Sequence, residues 1–69
     1  MSRAAKALRR AKESVGGATK LGRLLDITPE AVMQWKECPV LRVLDVEKLT
    51  GVSRHDLRPD VYPQPETAS

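Results

Sequence analysis

The segment 18–37, ATKLGRLLDITPEAVMQWKE, contains the clearest structural pattern in this sequence. It predicts two short helices joined by a tight turn at Asp26-Ile27. Thr28 is expected to cap the second helix, because its hydroxyl can accept from a free backbone N–H of the first turn. Pro29 then takes the first helical position, where a missing N–H costs nothing. Such a unit is typical of a helix-turn-helix, whose second helix enters the DNA major groove.

The two helices separate their residues into an inner and an outer face. Val32 and Trp35 are expected to point into the core, and small Gly22 is expected where the helices cross closely. The second helix is expected to continue to about Glu37, because Cys38-Pro39 breaks it. The residues left for its outer face are Glu30, Met33 and Gln34.

That outer face carries side chains suited to contacting DNA bases. The amide of Gln34 can form two hydrogen bonds to adenine, and Met33 offers an apolar contact to a thymine methyl group. Glu30 can accept from a cytosine amine but is repelled by phosphates. Lys36 is expected to contact a phosphate. Thr28 is a candidate for a DNA contact as well as for the cap.

The first helix of the pair begins with two more candidates, Thr19 and Lys20. Free backbone N–H groups at a helix start suit a phosphate, and both residues are expected to contact the DNA backbone. The alternative is that they serve capping and solubility. Glu30 and Glu37 put negative charge on the DNA-facing side, which argues against a strong DNA binder.

Length, charge and cysteine content limit the classes of protein to which this sequence can belong. The 69 residues make one small domain with a net charge of +3. Residues 1–25 hold seven basic and one acidic group, and residues 26–69 hold five basic and eight acidic groups, so the net charges are +6 and −3. The basic part is a candidate phosphate-facing surface. One cysteine excludes an internal disulfide, and no zinc spacing, membrane-spanning run or signal peptide is present, so a cytoplasmic protein is expected.

Two further helices flank the central pair. The first is predicted over Arg3–Ser14, with a Ser2 cap and a stop at Gly16-Gly17. Its basic face either contacts DNA or a partner or is simply solvated. Another is predicted over Val40–Thr50, ending at Gly51. The core residues expected in it are Val43, Val46 and Leu49. Leu41 and Leu44 project elsewhere, and they either form a dimer or partner interface or pack under the C-terminal segment.

A short last helix is predicted over Arg54–Leu57, begun by Ser53 in a capping-box-like pair with Asp56. The domain is expected to span 1–59, followed by an extended, flexible tail over 60–69 from which Tyr62 folds back. Neither the lone cysteine nor the lone histidine has an evident catalytic partner. The sequence therefore predicts no enzyme, no metal and no cofactor.

Two segments resemble a known family. The segment KLGRLLDITPEAVMQWKE resembles the helix-turn-helix of small phage Cro-type repressors. The segment LRVLDVEKLTGVSRHDLRPDVYP is similar to the end of YdaS-like antitoxins, which carry a TRHDLRPDLYP-type ending. Two positions depart from the family pattern. Asp26 stands where glycine is frequent, and Cys38-Pro39 replaces a loop that is often basic and glycine-containing.

The resemblance implies an all-α, λ repressor-like bundle of four to five helices from the Cro/C1 superfamily. It also implies a prophage or toxin–antitoxin setting, in the bacterial cytoplasm and nucleoid, and operator binding as a dimer. By position, the DNA-contact residues that it implies are Thr19, Lys20, Thr28, Pro29, Glu30, Met33 and Gln34.

Two functional hypotheses follow from these patterns. The first is a sequence-specific transcriptional regulator that binds a short palindromic duplex DNA operator as a homodimer. The second is a protein-interaction module that binds a toxin or RNA polymerase and binds DNA little by itself. Leu41, Leu44 and the acidic C-terminal half favour the second hypothesis.

Overall fold

The protein is described by a computed structural model that covers residues 2–63. Within that range the chain is helical and contains no strand, which confirms the predicted all-α class. The elements are α1 (Arg3–Ser14), α2 (Ala18–Leu25), α3 (Pro29–Met33), a 3₁₀ turn (Val40–Arg42), α4 (Val43–Thr50) and α5 (Arg54–Leu57).

Side-chain caps begin three of these helices. The Ala5 N–H donates to Oγ of Ser2 at 3.0 Å, and the Ala31 N–H donates to Oγ1 of Thr28 at 3.2 Å. Both predicted caps are thus confirmed, as is Pro29 at the start of α3. At α5 the hydroxyl of Ser53 accepts a hydrogen bond, as predicted for its start.

The core is built from buried residues of all five helices. Leu21 of α2, Val32 of α3 and Leu57 of α5 are fully buried. The other residues of the buried cluster are Ala7, Leu8, Ala11, Leu25, Cys38, Val43, Val46 and Val52. Trp35 and Tyr62 are partly buried and pack against it, as predicted. Burial of these apolar side chains is the main contribution to the stability of a chain of this size.

The prediction for α4 needs two corrections. Its first residues, Val40–Arg42, form a 3₁₀ turn, because the Arg42 N–H donates to the Pro39 carbonyl three residues back, at 2.9 Å. Leu49 is 39% exposed and is not a core residue. The inner face of α4 is already occupied by Val43 and Val46, and Leu49 lies outside it.

The predicted end of α3 is also wrong. The helix ends at Met33, with Gln34 as its C-cap, and does not reach Glu37. The Trp35 N–H donates to the Val32 carbonyl at 3.1 Å, which tightens the last turn. The chain then leaves the helix axis and buries Cys38 completely.

The C-terminal segment is more ordered than predicted where the structure describes it. The backbone N–H groups of Val61 and Tyr62 both donate to the Arg58 carbonyl, at 3.1 and 2.8 Å, and form a turn. The segment therefore does not run extended from residue 60. The part of the predicted tail over 64–69 lies outside the described residues.

Candidate nucleic-acid interface

The turn between α2 and α3 depends on a close backbone approach. Asp26 adopts the left-handed conformation with φ 62° and ψ 40°, as its small polar side chain allows. The Ile27 N–H then donates to the Gly22 carbonyl at 2.8 Å. A Cβ added at Gly22 would lie 2.9 Å from the Ile27 carbonyl oxygen. Only glycine lets the turn and the start of α3 lie this close to α2, which confirms the predicted role of Gly22.

The candidate base-contacting side chains lie at the protein surface. Met33 is 59% exposed, Glu30 and Gln34 are exposed, and Thr28 is exposed although it caps α3. Pro29 is half-buried at the first helical position, and its contact with DNA stays a prediction. Gln34 lies at the C-cap, at the end of a helix of only five residues. The outer face of α3 is therefore shorter than the sequence predicted.

The candidate phosphate-contacting residues are exposed as well. Thr19 and Lys20 lie in the first turn of α2, and Lys36 lies in the loop after α3. Among the described residues, neither lysine takes part in an ion pair. Both cations thus remain available to a phosphate. Their contact with DNA stays a prediction.

Most basic residues on the exposed face of α1 form no ion pair within the described part of the chain. Lys6, Arg9 and Arg10 are exposed, and none forms an ion pair within residues 2–63. Arg3 differs, because its Nε lies 3.7 Å from the Asp56 carboxylate of α5. Asp56 is thus used between helices and not in the predicted capping box.

Sequence reasoning missed the part played by Arg58. Its Nη1 donates to the Cys38 carbonyl at 3.2 Å, and its Nε and Nη2 donate to the two Asp60 carboxylate oxygens at 3.0 and 2.8 Å. Nη2 also lies 3.5 Å from the Glu37 carboxylate. Arg58 therefore fixes the loop after α3 to the C-terminal turn. The signal was Asp60, two residues after Arg58 and placed for a two-point hydrogen bond.

The other polar residues of the closing segment also serve the fold. The backbone N–H of Arg54 and its Nε each donate to the Glu47 carboxylate at 3.0 Å. These two hydrogen bonds, the backbone one first, lower the pKa of Glu47. His55 donates from Nδ1 to the Tyr62 carbonyl at 3.0 Å, and the Arg54 guanidinium lies 5.8 Å from the Tyr62 ring centre.

Cys38 is placed as a structural residue. Its side chain is fully buried, and burial raises the pKa of the thiol to about 11. The reactive form of cysteine is the thiolate, so this thiol is a poor nucleophile near neutral pH. His55, the only histidine, is engaged by the Tyr62 carbonyl.

The two leucines predicted as an interface are on the surface. Leu41 is 93% exposed and Leu44 is 49% exposed. The alternative, that they pack under the C-terminal segment, is not what the described residues show.

Similarity to a known protein family extends over most of the chain. The model of a protein family described as Bacterial toxin YdaS matches residues 8–66. No curated protein and no solved structure gives a match. The matched residues include α2, α3, α4 and α5, together with the Arg58 contacts. The longest helix among residues 2–63, α1, has 12 residues, so none of the described helices can span a membrane.

Proposed function

Because the chain belongs to the Bacterial toxin YdaS family, and is thereby related to toxin–antitoxin proteins, we propose that it is a sequence-specific DNA-binding regulator of transcription. It binds a short palindromic operator in duplex DNA as a dimer, in the bacterial cytoplasm and nucleoid. The observation that carries this proposal is the pair α2–α3. Its close approach at Gly22 joins the two helices, and Glu30 and Met33 of α3 and Lys20 of α2 are all exposed.

Phosphate contacts and base contacts have different tasks in this proposal. Lys20, Thr19 and Lys36 neutralise or bond phosphates and so provide affinity for any duplex. Gln34 and Met33 contact base edges in the major groove and so discriminate between sequences. Bound at an operator, the protein represses by blocking access of RNA polymerase.

Two substitutions separate these tasks. We expect Lys20→Ala to weaken binding to every duplex and to reduce the slope of log affinity against log salt by about 1. We expect Gln34→Ala to weaken binding to a selected duplex about 10- to 100-fold, with little change for an unrelated duplex. Fluorescence anisotropy with both duplexes measures this, and circular dichroism checks that the variants fold.

Each variant is the control for the other, since one is expected to act on all sequences and one on the selected sequence. The proposal fails if the parent protein binds no duplex, or if both variants bind every duplex as the parent does.

A second candidate function is protein binding, and two observations favour it. Glu30, exposed on α3, places negative charge on the side that would face phosphates, and Leu41 is almost wholly exposed. A toxin or RNA polymerase is the partner this function implies. It predicts that the partner binds the parent protein and the Lys20→Ala variant equally well, in a pull-down without DNA.

A further inference from the structure

A groove runs between α2 and α4 that the proposed DNA contacts do not use. Its volume is about 300 Å³. It is lined by Leu24, Leu25, Asp45, Lys48 and Leu49. Leu24 is 45% exposed, so apolar surface remains uncovered at its edge.

The outer face of α4 continues this apolar surface. Helical spacing places Asp45 and Lys48 at the centre of that face, and it places Leu44 and Leu49 on opposite flanks. Leu41 precedes Asp45 by four residues and projects from the 3₁₀ turn. Three leucines thus surround two opposite charges.

The two charges have no partner within the described part of the chain. Neither Asp45 nor Lys48 forms an ion pair among residues 2–63, and they are not paired with each other. They stand three residues apart in α4, which runs from Val43 to Thr50. The middle of the helix therefore falls midway between them.

That placement makes the face self-complementary, and we propose that two copies of the chain pair through it, with their α4 helices antiparallel about a two-fold axis at the middle of α4. In such an arrangement residue i contacts j and j contacts i. Asp45 of each copy then lies opposite Lys48 of the other, so the ion pair forms twice. The leucines of both copies cover one another around it.

This pairing deepens the proposed function, since it supplies the dimer that a palindromic operator requires. The groove begins at Leu24, one helical turn after Lys20 on the same side of α2. Neither Lys20 nor any residue of α3 lines the groove. The interface contains few residues, and we expect it to be smaller than a standard interface, which buries about 800 Å² per partner. The dissociation constant of the dimer is therefore expected in the micromolar range.

A charge exchange tests the two-fold arrangement. Sedimentation equilibrium without DNA is expected to show a monomer–dimer equilibrium for the parent chain. Lys48→Asp and Asp45→Lys each place like charges opposite each other, and each is expected to raise the dissociation constant at least tenfold. The double variant Asp45→Lys/Lys48→Asp restores opposite charges and is expected to return it to within about threefold of the parent value.

Two further variants control for other effects. Glu13→Lys changes the charge of an exposed residue on α1 and is expected to leave dimerisation unchanged. Leu41→Ser removes the most exposed leucine, which contributes little to the core, and is expected to weaken dimerisation about tenfold.

The inference is overturned if the parent chain stays monomeric at high micromolar concentration. It is also overturned if the double variant, folded by circular dichroism, stays as monomeric as the single variants. A monomer that still binds a selected duplex removes this inference alone, whereas a dimer that binds no duplex removes the proposed function alone.

Discussion

Replacing Gly22 by alanine is expected to lower the free energy of unfolding by about 1–2 kcal/mol, because the new methyl group overpacks the α2–α3 junction. The atom that it meets is the Ile27 carbonyl oxygen, 2.9 Å from the added Cβ. The Thr28 carbonyl carbon and Pro29 nitrogen follow at 3.3 Å. All three are backbone atoms, so no flexible side chain can move aside. The turn itself must open.

The sign of this effect is diagnostic. In an open helix, glycine to alanine stabilises by about 1 kcal/mol. Thermal unfolding followed by circular dichroism measures the difference, and each kcal/mol shifts the midpoint by about 4–8 °C in a domain of this size. Arg23→Ala, at the exposed neighbouring position, is the control and is expected to change stability by less than about 0.5 kcal/mol. A Gly22→Ala protein as stable as the parent would show that the junction is not close-packed.

Replacing Arg58 by alanine is expected to lower the free energy of unfolding by about 2 kcal/mol, the usual range for hydrogen bonds to a charged group. The Arg58 side chain is 14% exposed, so its bonds are largely shielded from solvent. The change removes the donor to the Cys38 carbonyl and leaves the Glu37 and Asp60 carboxylates without their cation. The loop after α3 then loses its link to the C-terminal turn.

Urea unfolding of two further variants distinguishes this link from an ordinary surface ion pair. Arg3→Ala removes an ion pair whose arginine is 58% exposed, and it is expected to cost less than about 1 kcal/mol. Arg58→Lys keeps the charge but not the planar group that bonds both Asp60 oxygens, so it is expected to fall between the parent and Arg58→Ala. Equal stability of Arg58→Ala and Arg3→Ala would contradict the role assigned to Arg58.

The helix starts and the turns could be predicted because they depend on local chemistry. Ser2 and Thr28 accept from backbone N–H groups three residues on, and these contacts are set by residue type and spacing. The left-handed Asp26 and the stop at Gly51 are equally local. The resemblance to YdaS-like proteins could also be stated from the sequence, because it rests on the order of the residues alone.

Features that depend on distant contacts could not be predicted in this way. The end of α3 depends on burial of Trp35 and Cys38 against other helices, and the sequence alone predicted three to four residues too many. The Arg58 contact to Cys38 joins positions twenty residues apart. Leu49 has the spacing of a core residue but lies at the rim of a groove.

The C-terminal segment SRHDLRPDVYP resembles the family, but its polar residues make contacts within the fold. In SRHDLRPDVYP, Arg54, His55, Asp56 and Arg58 are each engaged within the fold, by Glu47, the Tyr62 carbonyl, Arg3 and Asp60. These contacts of the C-terminal segment thus stabilise the packing of α5 and the loop after α3. The residues proposed to contact DNA lie elsewhere, on α2, on α3 and in the loop after α3.

Selection of bound sequences from a random pool of duplex DNA, at moderate salt, is the decisive test of operator binding. We predict enrichment of a short palindrome with half-sites about one helical turn apart. Affinity for the winning duplex is expected to fall steeply as salt is raised, because phosphate contacts release counterions. No enrichment, with weak and equal binding to every duplex, would contradict the account and direct attention to a protein partner.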